Sequence, residues 1–221
     1  MSTEPNFTNT IEEWSNFFIP LTDGVQLAVR AWLPTNAIEQ PVPAILEYIP
    51  YRKRDGTAIR DEQMHPYWAA FGYACVRVDI RGSGESDGLL LDEYLQQELE
   101  DAVEVIGWLE HQDWCSGQIG MMGKSWGGFN SLQVAALRPA ALKAIITVCS
   151  TDDRYADDIH YRGGALLIEN FSWASTISCY MAKSPDPLLL PEPWREHWLE
   201  RFKNTPLFAR TFLEITYTHP F

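Results

Sequence analysis

The sequence predicts an α/β protein: a doubly wound, mostly parallel sheet with helices on both faces, followed by a helical segment. Three observations carry that prediction. Strand-like and helix-like stretches alternate as far as about residue 150. A short apolar run, Gln118 to Met122, meets Gly123-Lys-Ser125-Trp-Gly127-Gly128 and then a helical pattern from Phe129 to Leu137, which makes a strand–turn–helix unit. From residue 150 onward the alternation stops and helical texture takes over.

The elements follow in order. Asn16 to Pro20 and Val25 to Leu33 flank Thr22-Asp23-Gly24, a hairpin signal. Val42 to Tyr48 is a third strand, and Glu62 to Phe71 a short helix stopped by Gly72. Ala74 to Asp79 is almost wholly apolar, as a buried parallel strand requires. Asp92 to Glu110 is the clearest helix, with Leu95, Leu99, Ala102, Val103, Ile106 and Leu109 at helical spacing. Gln118 to Met122 and Ala144 to Cys149 are the next strands, on either side of the Phe129 to Leu137 helix. Beyond residue 150, Gly163 to Met181 and Trp194 to Phe202 read as helices, separated by Ser184-Pro185-Asp186-Pro187. Pro206 to Ile215 is a further candidate helix and Leu213 to Tyr217 a candidate strand. We divide the chain into residues 1–150, a sheet domain, and 151–221, a helical cap segment; the alternative is that these helices simply cover one sheet face.

Composition narrows the function. The chain has 221 residues, 46% of them hydrophobic, which is enough for one well-packed α/β domain. No run of 18 apolar residues is present, so no membrane span is expected. The start of the chain is polar and acidic, unlike a secretory signal. Cys75, Cys115, Cys149 and Cys179 are far apart and form no C-x-x-C pair. Cys75 and Cys149 lie in apolar strand-like runs, which predicts buried free thiols and a reducing, cytoplasmic setting. The net charge of −13 disfavours nucleic acid and anionic membrane as partners. It leaves a small neutral ester or peptide-like substrate open, and says nothing of oligomeric state.

The G-x-S-x-G stretch carries the chemistry. A serine on a sharp strand-to-helix turn is lifted out at the end of the sheet, and its neighbours must be small. Gly123 and Gly127 would let strand and helix approach, Ser125 would be exposed as a nucleophile, and the backbone N–H of Trp126 could face a developing oxyanion. The plain alternative is a Gly-rich turn without chemistry.

Other stretches invite and then resist a functional reading. Arg81-Gly82-Ser83-Gly84 follows a strand, but the third glycine of a dinucleotide fingerprint would fall on Asp87, so no cofactor is expected. Asp79 and Arg81 are expected to form a structural ion pair. Asp152, Asp153, Asp157, Asp158 and His160 offer hard-cation ligands, but their spacing matches no metal loop, so no metal is expected. His160 reads as hydrogen-bonded scaffold rather than base.

Taken together, Tyr48-Ile-Pro-Tyr51-Arg-Lys-Arg-Asp55, Val78-Asp79-Ile-Arg81-Gly82-Ser-Gly84-Glu-Ser86-Asp87-Gly88, Gly107-Trp108-Leu109, Gln112-Asp113-Trp114, the Ser125 elbow, and Asp152 to Gly164 form an ordered set. From about residue 15 to about 205 this set resembles the cocaine esterase-like (CocE/NonD) α/β-hydrolases, relatives of X-prolyl dipeptidyl-peptidases. The resemblance implies an α/β-hydrolase core and a serine hydrolase that forms an acyl-enzyme on Ser125. It also implies that the hydroxyl of Tyr51 is the second oxyanion donor beside the Trp126 N–H.

A serine nucleophile needs a base oriented by an acid, in the chain order Ser, Asp or Glu, His. In the family those two residues come after the cap, farther from the serine than Phe221, which is 96 residues past Ser125. The acid and the His are therefore not identified here. The chain reads as an N-terminal part of a longer hydrolase or a truncated homologue, with the core strands after the post-elbow strand missing. The alternative uses Asp152 or Asp153 with His197 or His219. Three functions stay open: a serine hydrolase of a carboxylic ester or an amide acting through Ser125, with an esterase placed above an X-prolyl dipeptidyl-peptidase; a non-catalytic relative that binds a ligand in the same cleft; and an inactive truncation.

Overall fold

The computed structural model describes residues 9–190 and 192–206. β1 (Ile11–Pro20) and β2 (Gln26–Pro34) form an antiparallel hairpin. Its turn is set by Asp23, whose carboxylate accepts the Val25 N–H, and by Gly24 at φ +91°. The sheet continues through β3 (Val42–Ile49), β4 (Ala74–Asp79), β5 (Cys115–Lys124) and β6 (Leu142–Val148), in the order β1-β2-β4-β3-β5-β6. β2 meets β4 antiparallel, and β4, β3, β5 and β6 run parallel.

Crossing helices fix where a site can form. α1 (Ala58–Ala70) links β3 to β4 and packs against β1, β2 and β4. α2 (Gln96–Glu110) links β4 to β5, and α3 (Trp126–Leu137) links β5 to β6. α2 and α3 touch each other and pack on β3 and β5. Alternation along the strands separates two apolar clusters: Trp32, Cys75 and Ala69 in one, and Leu33, Val76, Leu46, Ile106 and Val134 in the other. Connections leave β3 on one side toward β4, and the chain returns to its other side as β5. The carboxyl ends of β3 and β5 therefore flank a topological switch point, where α/β sheets place their crevices. β4 is buried at all six positions, as its apolar run predicts.

Beyond β6 come a two-strand ribbon, β7 (Tyr161–Arg162) with β8 (Ala165–Leu166), then α4 (Glu169–Ala182) and α5 (Trp194–Asn204). The ribbon corrects the helix expected from Gly163: Gly163 and Gly164 both take positive φ, 55° and 79°, and turn the chain back on itself. The expected helix from Asp92 begins later, at Gln96, because Tyr94 sits at φ 56° and Leu95 is extended. α1 begins earlier than Glu62. The helix and strand expected over 206–217 lie, but for Pro206, outside the described residues.

Two further expectations are corrected. Asp79 does not pair with Arg81. Its carboxylate takes the Lys53 N–H (2.9 Å) and the Arg77 guanidinium (3.2 Å), while Arg81 reaches Asp101 and Asp23. Adjacent odd positions on a strand share a face, but the loop after β4 turns Arg81 away. Cys75 is buried, but Cys149 is exposed, since β6 is an edge strand among the described residues and Cys149 follows it at φ 54°.

Candidate active site

Ser125 stands between β5 and α3 with φ 57° and ψ −120°, a backbone conformation that L-residues rarely adopt. Packing and hydrogen bonds hold it there. The Ser125 N–H donates to Val148 O on β6 (2.8 Å), and Ser125 O accepts from Gly128 N (2.8 Å) and Phe129 N (3.0 Å). A Cβ on Gly123 would fall 2.3 Å from Gly127 C, and one on Gly127 would fall 2.5 Å from Ile49 Cγ2. The two glycines are thus required for the close strand–helix approach that their sequence spacing predicts. Ser125 lines a cleft of about 310 Å³ with Phe129, Cys149, Ser150, Thr151, Asp157, Asp158 and Ile159.

Tyr51 comes from the loop after β3, next to β5 in the sheet. Burial pushes its phenol up to about 12, opposed by hydrogen bonding with the Ser125 side chain and the Trp126 backbone. Ser125, Tyr51 and the Trp126 backbone therefore converge, although Tyr51 and Ser125 are far apart in the chain. The phenol stays protonated at neutral pH and can donate.

The Tyr51 loop is tied down from beneath. Lys53 is fully buried, its N–H donates to Asp79, and its ammonium meets Glu85 at 2.5 Å. Ser83 Oγ donates to Pro50 O (2.5 Å). Gly84 packs so closely that a Cβ would lie 2.1 Å from Asp79 Oδ2. The Arg81–Gly88 stretch, which resists a cofactor reading in the sequence, is thus a clamp under the Tyr51 loop.

An aromatic wall packs on Tyr51 and Trp126. Trp173 of α4 meets Tyr51 edge-on (6.0 Å between centroids) and approaches Trp126 (6.4 Å), and Tyr180 packs on Tyr51 (6.2 Å). The Trp173 indole donates to Glu93, whose other oxygen meets His160 Nε2 at 2.9 Å. His160 is buried and also bonded to Asn170. Burial opposes a charge on its ring, but the hydrogen bond and charge of Glu93 outweigh it and hold the ring above its usual value. These bonds are those of the hydrogen-bonded scaffold that the sequence leads one to expect of His160. Glu93 and Glu98 carry no such signal, since they belong to an acidic stretch that resembles any solvated helix face.

Among the described residues, no histidine is hydrogen-bonded to Ser125. His197 lines a separate cavity with Gly84–Leu89 and Arg201. Asp153 is spent on a turn, accepting the Tyr155 and Ala156 N–H groups (both 3.1 Å). His219 lies outside the described residues. A cluster with metal-ligand chemistry does form elsewhere, from buried Glu47, Asp61 and His65. Arg60 and Arg77 already neutralise both carboxylates at 2.5–3.9 Å, which leaves little attraction for a cation.

The sheet order, the strained serine and the opposed hydroxyl and amide define an α/β-hydrolase fold with a nucleophile-elbow turn. Residues 23–217 match the model of the X-Pro dipeptidyl-peptidase (S15) family, and the chain belongs to that family. It is 35% identical over 167 residues to the cocaine esterase of Rhodococcus sp. (strain MB1 Bresler), covering 74% of this chain and 28% of that one. It is 28% identical over 120 residues to the Xaa-Pro dipeptidyl-peptidase of Lactobacillus helveticus (strain DPC 4571), covering 48% and 15%. Its fold is similar to that of a CocE/NonD family hydrolase from Staphylococcus aureus, with a TM-score of 0.67 at 21% identity, covering 91% of this chain and 36% of that one. The matched stretch thus spans 28% and 15%, respectively, of the length of the two curated relatives named here. No helix among the described residues is long and apolar enough to cross a membrane.

Proposed function

We propose that this chain carries the nucleophile and the oxyanion hole of a serine hydrolase that cleaves carboxylic esters. The observation that supports this reading is the convergence of the Tyr51 hydroxyl, the Ser125 hydroxyl and the Trp126 backbone. Ser125 Oγ attacks the carbonyl carbon while its proton passes to a base. The carbonyl π electrons move onto oxygen, which takes hydrogen bonds from the Tyr51 O–H and the Trp126 N–H. Collapse expels the alkoxide, which leaves with the base's proton, and water repeats the sequence on the acyl-enzyme. Thr151, Asp157, Asp158 and Ile159 line the Ser125 cleft, which supports a role for the segment after residue 150 as a cap over it. Free thiols support a cytoplasmic setting.

Esters are favoured over X-prolyl peptides by the cleft's carboxylates. A peptide's free amine needs an uncommitted negative group. Asp158 is engaged by Arg154 (2.9 Å) and by the Ile159 N–H (2.6 Å), and Asp157 is exposed beside Arg162.

The test is p-nitrophenyl acetate followed by intact-mass analysis. We expect slow acetylation that maps to Ser125, without a burst of p-nitrophenol, because no described histidine serves that hydroxyl. Acetylation that persists unchanged in Ser125→Ala would sink the proposal. A rapid stoichiometric burst would show that the chain contains its own base, and His219→Ala and His197→Ala, tested separately, would identify it.

A further inference from the structure

Glu98, on the first turn of α2, is a buried carboxylate that the mechanism above does not use. One oxygen, Oε1, accepts the indole N–H of Trp126 (2.5 Å) and the side-chain N–H of Asn130 (2.8 Å). The other, Oε2, accepts the backbone N–H of Tyr94 (3.0 Å). Trp126 and Asn130 are four residues apart and lie on one face of α3, in its first and second turns. Asn130 also donates to Tyr48 O (3.1 Å) on β3. A single oxygen atom thus grips two successive turns of the elbow helix and fixes its rotation about its own axis. That rotation decides where the Trp126 backbone N–H points.

The bond to Tyr94 extends the grip. Tyr94 sits at φ 56°, and its ring packs on Trp126 (5.2 Å between centroids) and Phe129 (5.3 Å). Trp126 is therefore held by its indole nitrogen on one side and by Tyr94 on the other, with no exposed surface.

We infer that Glu98 is a positioning residue: by clamping Trp126 and Asn130 it aims the Trp126 backbone N–H at the oxyanion position beside Tyr51. The inference rests on the reading of Ser125 and Trp126 given above. The strength of the clamp as a hydrogen-bond acceptor depends on the carboxylate's charge. Burial pushes Glu98 up to about 7, against the pull of the Trp126, Asn130 and Tyr94 donors, and Glu93 adds a like charge. The other titratable groups that face it are the buried phenols of Tyr48 on β3 and of Tyr94 and, beyond the Tyr48 phenol, Asp101 of α2 and Arg81. Above the midpoint the ionised clamp holds both donors; below it the neutral acid holds them more weakly.

The experiment compares wild type, Glu98→Gln and Trp126→Phe by nitrogen-edited NMR and by labelling of Ser125 with a fluorophosphonate in the presence of imidazole as an added base. In wild type the Trp126 indole and backbone amide resonances are expected to titrate together with a midpoint near 7. In Glu98→Gln both should be flat. Labelling should fall about tenfold to a hundredfold in Glu98→Gln at pH about 8, the loss typical of a small misplacement, and match wild type at pH about 5.5. Trp126→Phe should lose a similar factor, and the double variant no more than either single one. A Trp126 backbone amide that ignores Glu98 overturns the inference whatever the labelling does. An equal labelling ratio across the pH range overturns it as well. Absence of labelling in every protein, wild type included, would instead remove the Ser125 reading, while the amide titration still decides whether Glu98 sets the Trp126 N–H.

Discussion

A Cβ on Gly123 would lie 2.3 Å from the carbonyl carbon of Gly127 and 2.6 Å from its oxygen. Both contacts are backbone, so no flexible side chain can yield. Gly123→Ala should therefore push the start of α3 away from β5, at a cost of about 1–3 kcal/mol or more. Gly107→Ala is the control: nothing lies within 4 Å of its added Cβ. In the middle of α2 it should stabilise by about 1 kcal/mol. Thermal unfolding of the two variants checks the pair, and equal Tm values would refute the packing argument.

Tyr51→Phe removes the phenol hydroxyl and leaves the ring's contacts with Trp173 and Tyr180. In any form of the protein that turns over, kcat should fall by about 10²–10³ with KM little changed, because the donor acts on the transition state. An unchanged kcat would place the second donor elsewhere.

Glu98 also makes stability depend on pH. Its folded value is raised from 4.5 to about 7, so the native state holds a proton that the unfolded chain has already released. Between those two values stability from this group falls as pH rises, and above the folded value the penalty stays constant. Glu98→Gln lacks that loss. The difference in Tm between Glu98→Gln and wild type should grow in the variant's favour from pH about 5 to about 8, and a constant difference would contradict the assignment.

β6 presents an unpaired edge among the described residues, with Ile146 57% and Val148 47% exposed. Such an edge is a template for pairing with another chain. Light scattering should show concentration-dependent association that Ile146→Lys reduces. Wild-type chain that stays monomeric at high concentration would argue against this.

The sheet and the elbow were legible because their signals are local. An apolar run such as Ala74 to Asp79 announces a buried strand, and glycines at 123 and 127 announce a close approach. Tyr51 was legible only through the family resemblance, since nothing near residue 51 shows that its loop adjoins β5. Glu98 and Glu93 were not legible: in the chain they are two of several acids near α2, and only the fold turns them inward onto Trp126 and Trp173. Partners separated in sequence also explain why the sequence points Asp79 to Arg81, when its carboxylate meets the Arg77 guanidinium and the Lys53 backbone N–H. Cys149 misled because an apolar strand was assumed to be covered on both faces, which an edge strand is not.

Whether Ser125 is a nucleophile facing an oxyanion hole is decided by fluorophosphonate labelling with increasing imidazole, read by peptide mass mapping. A single adduct on Ser125 is expected, accelerated by imidazole, reduced in Tyr51→Phe and absent in Ser125→Ala. An adduct on another residue, or no adduct at Ser125 at any imidazole concentration, would contradict it.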